Sequence, residues 1–228
     1  MTTNKISNAN VTTNAPATGA PRKVKTEAKV NVREGMRTAD VKANGSAAQK
    51  LVADAFQEAS WDDKKNGIKY HGTYDKEGAE AMNSYTFALY GNELRAYNNE
   101  TGCNVKIKAS SQDELKKSAY LVRESEDFKG GNIVYNLNTK TATYDGVSGN
   151  RVDISDMDSG KLKNCNIKNS SLETIDATYF TGKLNIKNTK DVGMIWDSAT
   201  RISVNADPNK KPTLNIDSAS KVEIKEYE

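Results

Sequence analysis

Histidine, cysteine and proline are scarce in this chain of 228 residues, which has one, two and four of them respectively. With His71 alone, no multi-histidine zinc or iron centre can be built within one chain. Cys103 and Cys165, 62 positions apart, lack the paired CxxC spacing of a zinc ribbon. Disulfide-stapled secreted domains are far richer in cysteine, so both read as free, buried, small hydrophobes. His71 ahead of Cys103 keeps the chain order of some cysteine proteases, but no supporting signature surrounds either residue, and ordinary packing is the reading. No Gly-rich phosphate loop, nucleophile elbow or Walker-type stretch occurs, which leaves nucleotide chemistry without a carrier.

Long apolar runs are also missing. No window reaches the roughly 18 consecutive apolar residues of a membrane span, and the first 30 residues hold no apolar core of a secretory signal. With Met1 read as the natural start, the expectation is a soluble chain that is cytoplasmic, virion-associated or exported by a route that reads no hydrophobic leader. Apolar residues make up 36% of the sequence, against about 45–50% in globular domains, so part of the chain is expected to lack a core. Residues 1–45 carry eight Lys or Arg against three Asp or Glu, a net +5 that leaves the remainder at −2. Electrostatic attraction to a partner would act through this arm, chiefly Arg22, Lys23, Lys25, Lys29, Arg33 and Arg37. It contains no aromatic residue for base stacking, so nonspecific contact is the most it offers nucleic acid.

The arm is rich in Thr, Asn and Ser and buries too little apolar surface to offset its chain entropy; alone, it is expected to be disordered. Ser46 and Gln49 have capping-box spacing, and Leu51, Val52, Ala55, Phe56 and Ala59 share one face, which predicts a helix over 46–60 covering the end of a β-sheet stack, with Trp61 extending the contact. Residues 46–128 read as a small α+β region. Tyr85, Phe87 and Leu89 alternate, Gly91-Asn92 supplies a two-residue hairpin turn, Leu94 to Tyr97 returns, and Val105 and Ile107 alternate after a second turn: a three-stranded meander, favoured over a helix across 76–90. Ser111 with Glu114 forms a second capping box, predicting a helix over 112–124.

From 129 onward the chain repeats itself. Asn166-Ile167-Lys168-Asn169-Ser170, with Leu172 and Ile175, recurs as Asn185-Ile186-Lys187-Asn188-Thr189 with Val192 and Ile195, and more loosely as Asn215-Ile216-Asp217-Ser218-Ala219 with Val222 and Ile224. A period near 20 with short apolar-x-apolar strands is the pattern of a β-solenoid, whose turns bury their apolar faces only by stacking. Asn166, Asn185 and Asn215 are expected to form side-chain ladders in the corners. Residues 150–228 thus resemble right-handed parallel β-helix proteins. The fold class is mainly β: a C-terminal parallel solenoid of about four coils over 129–228, with Ala206–Pro212 as a protruding loop. β-Helix proteins include polysaccharide lyases and hydrolases, phage tailspikes, autotransporter passengers and adhesins, so the resemblance implies a fold and leaves function open.

Asp176, Asp197 and Asp217, spaced by 21 and 20 residues, would stack on successive coils about 4.8 Å apart, close to the separation of a retaining glycosidase's two carboxyls. Turn chemistry explains the same residues, with Arg201 and Lys221 as counter-charges, and is the favoured reading. Asp153, Asp156 and Asp158 offer oxygen ligands for Ca²⁺, although Ile167 stands where a calcium loop needs its bidentate acid. No cofactor is otherwise implied. The whole reads as a non-enzymatic structural or interaction protein of a virion or cell-surface assembly, with self-assembly or a larger complex as the partner and the arm as docking element. The alternatives are a leaderless secreted bacterial effector or adhesin, and a carbohydrate-active β-helix enzyme acting on glycan.

Overall fold

The computed structural model describes residues 36–66, 84–154, 162–190, 199–205, 207–209 and 211–227. Helix α1 spans Thr38–Asn66. The meander follows as β1 (Tyr85–Tyr90), β2 (Glu93–Asn98) and β3 (Asn104–Lys108), then helix α2 (Gln112–Ser118), which passes into a 3₁₀ segment, Ala119–Glu126. Ten further strands complete the chain: β4 (Phe128–Lys129), β5 (Asn132–Asn136), β6 (Thr141–Asp145), β7 (Ser148–Asp153), β8 (Asn164–Lys168), β9 (Ser171–Asp176), β10 (Lys183–Lys187), β11 (Thr200–Asn205), β12 (Thr213–Ile216) and β13 (Val222–Tyr227).

The strands form two sheets, one of eight strands in the order β1-β2-β3-β5-β6-β8-β10-β12 and one of five in the order β13-β11-β9-β7-β4. From β6 and β7 onward every pairing is parallel, so the chain winds as a β-solenoid. Four strand pairs stack, and because the fourth does not return to a fifth, they make about three turns where the repeat suggested four. The larger sheet runs without a break through residue 128: β3 already pairs in parallel with β5, Asn104 opposite Asn132 and Ile107 opposite Tyr135.

Two inward columns run the length of this sheet. One is Leu89, Leu94, Ile107, Tyr135, Ala142, Cys165, Leu184 and Leu214; the other is Phe87, Ala96, Val105, Ile133, Tyr144, Ile167, Ile186 and Ile216. The facing sheet contributes Val152, Ile175, Ile202 and Ile224. The buried members of all three belong to one apolar core. Tyr135 and Tyr144 are wholly buried in it, and their hydroxyls bond each other at 3.0 Å, so neither polar group is left unsatisfied.

The corners repeat too. Gly146, Asn169 and Asn188 follow the strand ends of successive rungs with φ of 67°, 53° and 44°, the left-handed region that glycine and asparagine tolerate best. After each asparagine comes a buried hydroxyl residue, Ser170 or Thr189, donating to the carbonyl of Lys168 (2.8 Å) or Lys187 (3.0 Å). The expected Asn166–Asn185–Asn215 ladder forms, but at mid-strand on the outer face: Asn215 donates to Asn185 and Asn185 to Asn166, both at 2.8 Å. Asn169 and Asn188, which can adopt the left-handed turn, take the corners, with Asn188 donating to Asn169 at 3.1 Å.

Several expectations change in detail. Helix α1 starts at Thr38, not Ser46, so Arg37, Asn44 and Gly45 belong to the folded body. The predicted 112–124 helix is α-helical only to Ser118. Its N-cap Ser111 receives the Glu114 N–H at 3.1 Å, while Glu114 reaches back to Ser110. In the third rung Ile202, not Ile195, stands opposite Ile175. Lys190 already bridges to Ser171, so the added length of this rung enters at 191–198, outside the described residues. The β11–β12 connection, 206–212, is only one residue longer than its counterpart 177–182, so Ala206–Pro212 is not where the repeat departs from its period.

Candidate docking surfaces and an acidic cleft

The two ends of the larger sheet are finished differently. At the β1 end, α1 lies across the sheet edge with Ala48, Val52 and Ala55 buried. Asn44 acts as a one-residue strand partner: its amide nitrogen donates to the Leu89 carbonyl at 2.6 Å, and its oxygen accepts the Leu89 N–H at 3.0 Å. A Cβ on Gly45 would sit 3.1 Å from the Phe87 carbonyl, so glycine is what lets the helix approach this closely. Met36 packs with Ala88 and Tyr97 on the outer face, and Arg37 donates its backbone N–H to the Tyr90 hydroxyl at 3.2 Å.

At the other end, β12 and β13 are the last strands of their sheets. Ile216 is 37% exposed and Ile224 47%, although both continue inward columns whose preceding members, Ile186 and Ile202, are fully buried. Among the described residues the only other large exposed hydrophobe is Tyr179. An edge with open backbone groups beside unfilled apolar positions is a template for another strand.

A cleft of about 700 Å³ opens where the 3₁₀ segment meets the second sheet, lined by Glu124, Asp127, Lys129, Arg151, Asp153 and Glu173 among others. Burial pushes the Glu124 carboxyl up to about 7, with Asp127 and Asp153 adding repulsion. A carboxyl titrating near neutrality in a cleft is the environment of a general acid or base. Among the described residues no group of three His, Cys, Asp or Glu side chains is arranged to hold a metal. The sequence marks Glu124 only as the last residue of the predicted 112–124 helix; the neighbouring Glu126 and Asp127 are the signal of an acidic patch.

The aspartates do not form the expected column. Asp176 ends β9 in the smaller sheet, beside Asp153 and Ser203, whereas Asp217 follows β12 in the larger sheet, and Asp197 lies outside the described residues. Both placed residues carry turn bonds. Asp176 accepts the Thr178 N–H at 3.0 Å, and Asp217 accepts the Ser220 hydroxyl at 2.6 Å and the Asn188 N–H at 3.1 Å, bonds that lower its pKa with the serine contribution largest. Asp153 and Asp176 are tied together by Arg151, which donates to the first at 2.8 Å and the second at 2.5 Å. Asp156, Asp158 and His71 lie outside the described residues, as do Arg22, Lys23, Lys25, Lys29 and Arg33. Arg37 is highly exposed and pairs with Asp40 at 2.6 Å. Cys103 and Cys165 are free and fully buried, and burial pushes each thiol up to about 12. No helix among the described residues is long and apolar enough to cross a membrane.

No family model, curated protein or solved structure matches the chain.

Proposed function

We propose that this is a structural or interaction protein without enzymatic activity. In this reading the solenoid is a rigid rod within a virion or cell-surface assembly, and the basic N-terminal arm is its docking element. The observation that carries the reading is the asymmetry of the two ends, one edge satisfied by Asn44 and α1, the other presenting Ile216 and Ile224. A rod closed at one end and adhesive at the other suits ordered, directional contact with a partner. The Asp153–Arg151–Asp176 arrangement is an ion-paired surface feature, and the glycan-cleaving alternative gains nothing from it.

Light scattering behind size exclusion tests the reading, comparing the full chain with a form starting at Gly35. That start keeps Met36 and α1 intact, whereas a start at Ser46 would delete Asn44. The full chain is expected to form a defined oligomer or polymer that the shorter form loses. Monomers in both samples across a concentration series would remove self-assembly through the arm.

A further inference from the structure

The last three rungs of the larger sheet share a five-residue template, whereas the first, β6, has Thr143 where they have asparagine. Asn164-Cys165-Asn166-Ile167-Lys168, Lys183-Leu184-Asn185-Ile186-Lys187 and Thr213-Leu214-Asn215-Ile216-Asp217 each alternate polar and apolar residues, with asparagine in the centre. The two apolar positions fill the inward columns, and the central asparagines chain their amides along the outer face at 2.8 Å. The arm contains the same template once more, as Lys29-Val30-Asn31-Val32-Arg33. Its apolar residues are β-branched, as suits a strand.

From these observations we infer that Lys29–Arg33 of one molecule docks on β12 of a second copy as the next rung of its solenoid. Asn31 stands opposite Asn215, and Val30 and Val32 continue the columns of Leu214 and Ile216. This deepens the proposed function and rests on its reading of the arm as a docking element. Strand addition of this kind takes affinity from main-chain hydrogen bonds and selectivity from alternate side chains entering pockets.

Reach decides which copy is served. Met36 is packed against Ala88 on β1 and Tyr97 on β2, at the opposite end of the eight-stranded sheet from β12. Six or seven strand spacings of about 4.8 Å separate those positions, roughly 30 Å. The three residue steps from Arg33 to Met36 span at most about 11 Å. The arm strand therefore cannot reach its own last rung, and the contact is head to tail. Such an interface is heterologous, and unless it closes on itself it propagates as a filament. Charge agrees with the register: Arg33 falls opposite Asp217, as Lys168 already pairs with Asp145 at 3.0 Å on the same outer face.

The test uses full-length chains throughout. A donor-blocked variant carries Val30→Asp and Val32→Asp. An acceptor-blocked variant carries Asn215→Lys and Ile216→Lys, both at exposed positions, and circular dichroism checks that each keeps its β signature. Each variant alone should be monomeric, and an equimolar mixture should recover a single junction, a dimer of twice the 25.0 kDa chain. Chains carrying Asn31→Cys and Asn215→Cys should become disulfide-linked between molecules on mild oxidation, because Cys103 and Cys165 are buried and do not compete. An oligomer that persists in the donor-blocked variant, a mixture that stays monomeric, or an oligomer whose cysteine pair fails to cross-link overturns this inference and leaves the arm-docking reading standing. A wild-type chain that is monomeric at every concentration overturns this inference and also removes self-assembly through the arm from the proposed function.

Discussion

Burial of a carboxyl against two others gives Glu124 a thermodynamic signature of its own. Its pKa in the folded protein is about 7, against an ordinary 4.5, with desolvation the largest cause and Asp127 and Asp153 adding to it. Between those pH values the folded state holds a proton that the unfolded state has released, so this residue's contribution makes stability fall as pH rises from about 4.5 to about 7 and flatten above. The full shift corresponds to at most about 3 kcal/mol, less because the side chain keeps some contact with solvent. Glu124→Gln should remove that slope. Urea unfolding at pH 5 and pH 8 is expected to show the variant gaining about 1–3 kcal/mol on the wild type between the two conditions. Parallel pH profiles for the two proteins would show that Glu124 does not titrate as described.

At the scale of elements, α1 and β1 depend on each other through one side chain. Asn44→Ala removes both bonds to Leu89 and leaves an edge N–H and C=O without a protein partner, a loss of about 1–3 kcal/mol, while alanine's higher helix propensity returns about 0.5 kcal/mol. A net destabilisation of about 1–2 kcal/mol is therefore expected in urea titrations. No change in midpoint would mean that Asn44 does not close the β1 edge. The same residue explains why the start of α1 was illegible in the sequence. Asn44-Gly45 reads as a helix breaker by propensity, and only contact with β1 makes both residues useful inside a helix. The meander was legible because Tyr85 to Leu89 alternates and Gly91-Asn92 is a turn by its own chemistry. The solenoid was legible because its repeat recurs at 19 residues between Asn166 and Asn185. The third rung was not, because 30 residues separate Asn185 from Asn215 and two isoleucines, Ile195 and Ile202, compete for one inward place. The candidate site fared less well: Asp176 and Asp217 share the repeat spacing without sharing a sheet, and neither Asn44 nor Glu124 belongs to a motif.

For the whole molecule, the question is whether the chain changes unit near residue 128, where its composition changes. Both inward columns cross that point unbroken, from Phe87 and Leu89 to Ile216 and Leu214, and residues from both sides share one core. Cys103 lies in the meander and Cys165 in the second rung, each fully buried and each with its thiol pushed up to about 12. Neither carries an appreciable thiolate population at pH 8, so modification requires the structure around it to open. If the sheet is one cooperative unit, labelling in increasing urea should give both cysteines the same opening free energy and the same dependence on denaturant. The open rung of β12 and β13 contains no cysteine, so its fraying would not separate them. Opening free energies that differ by more than about 1 kcal/mol would divide the molecule into two units and weaken the case for a rod that transmits contact from one end to the other.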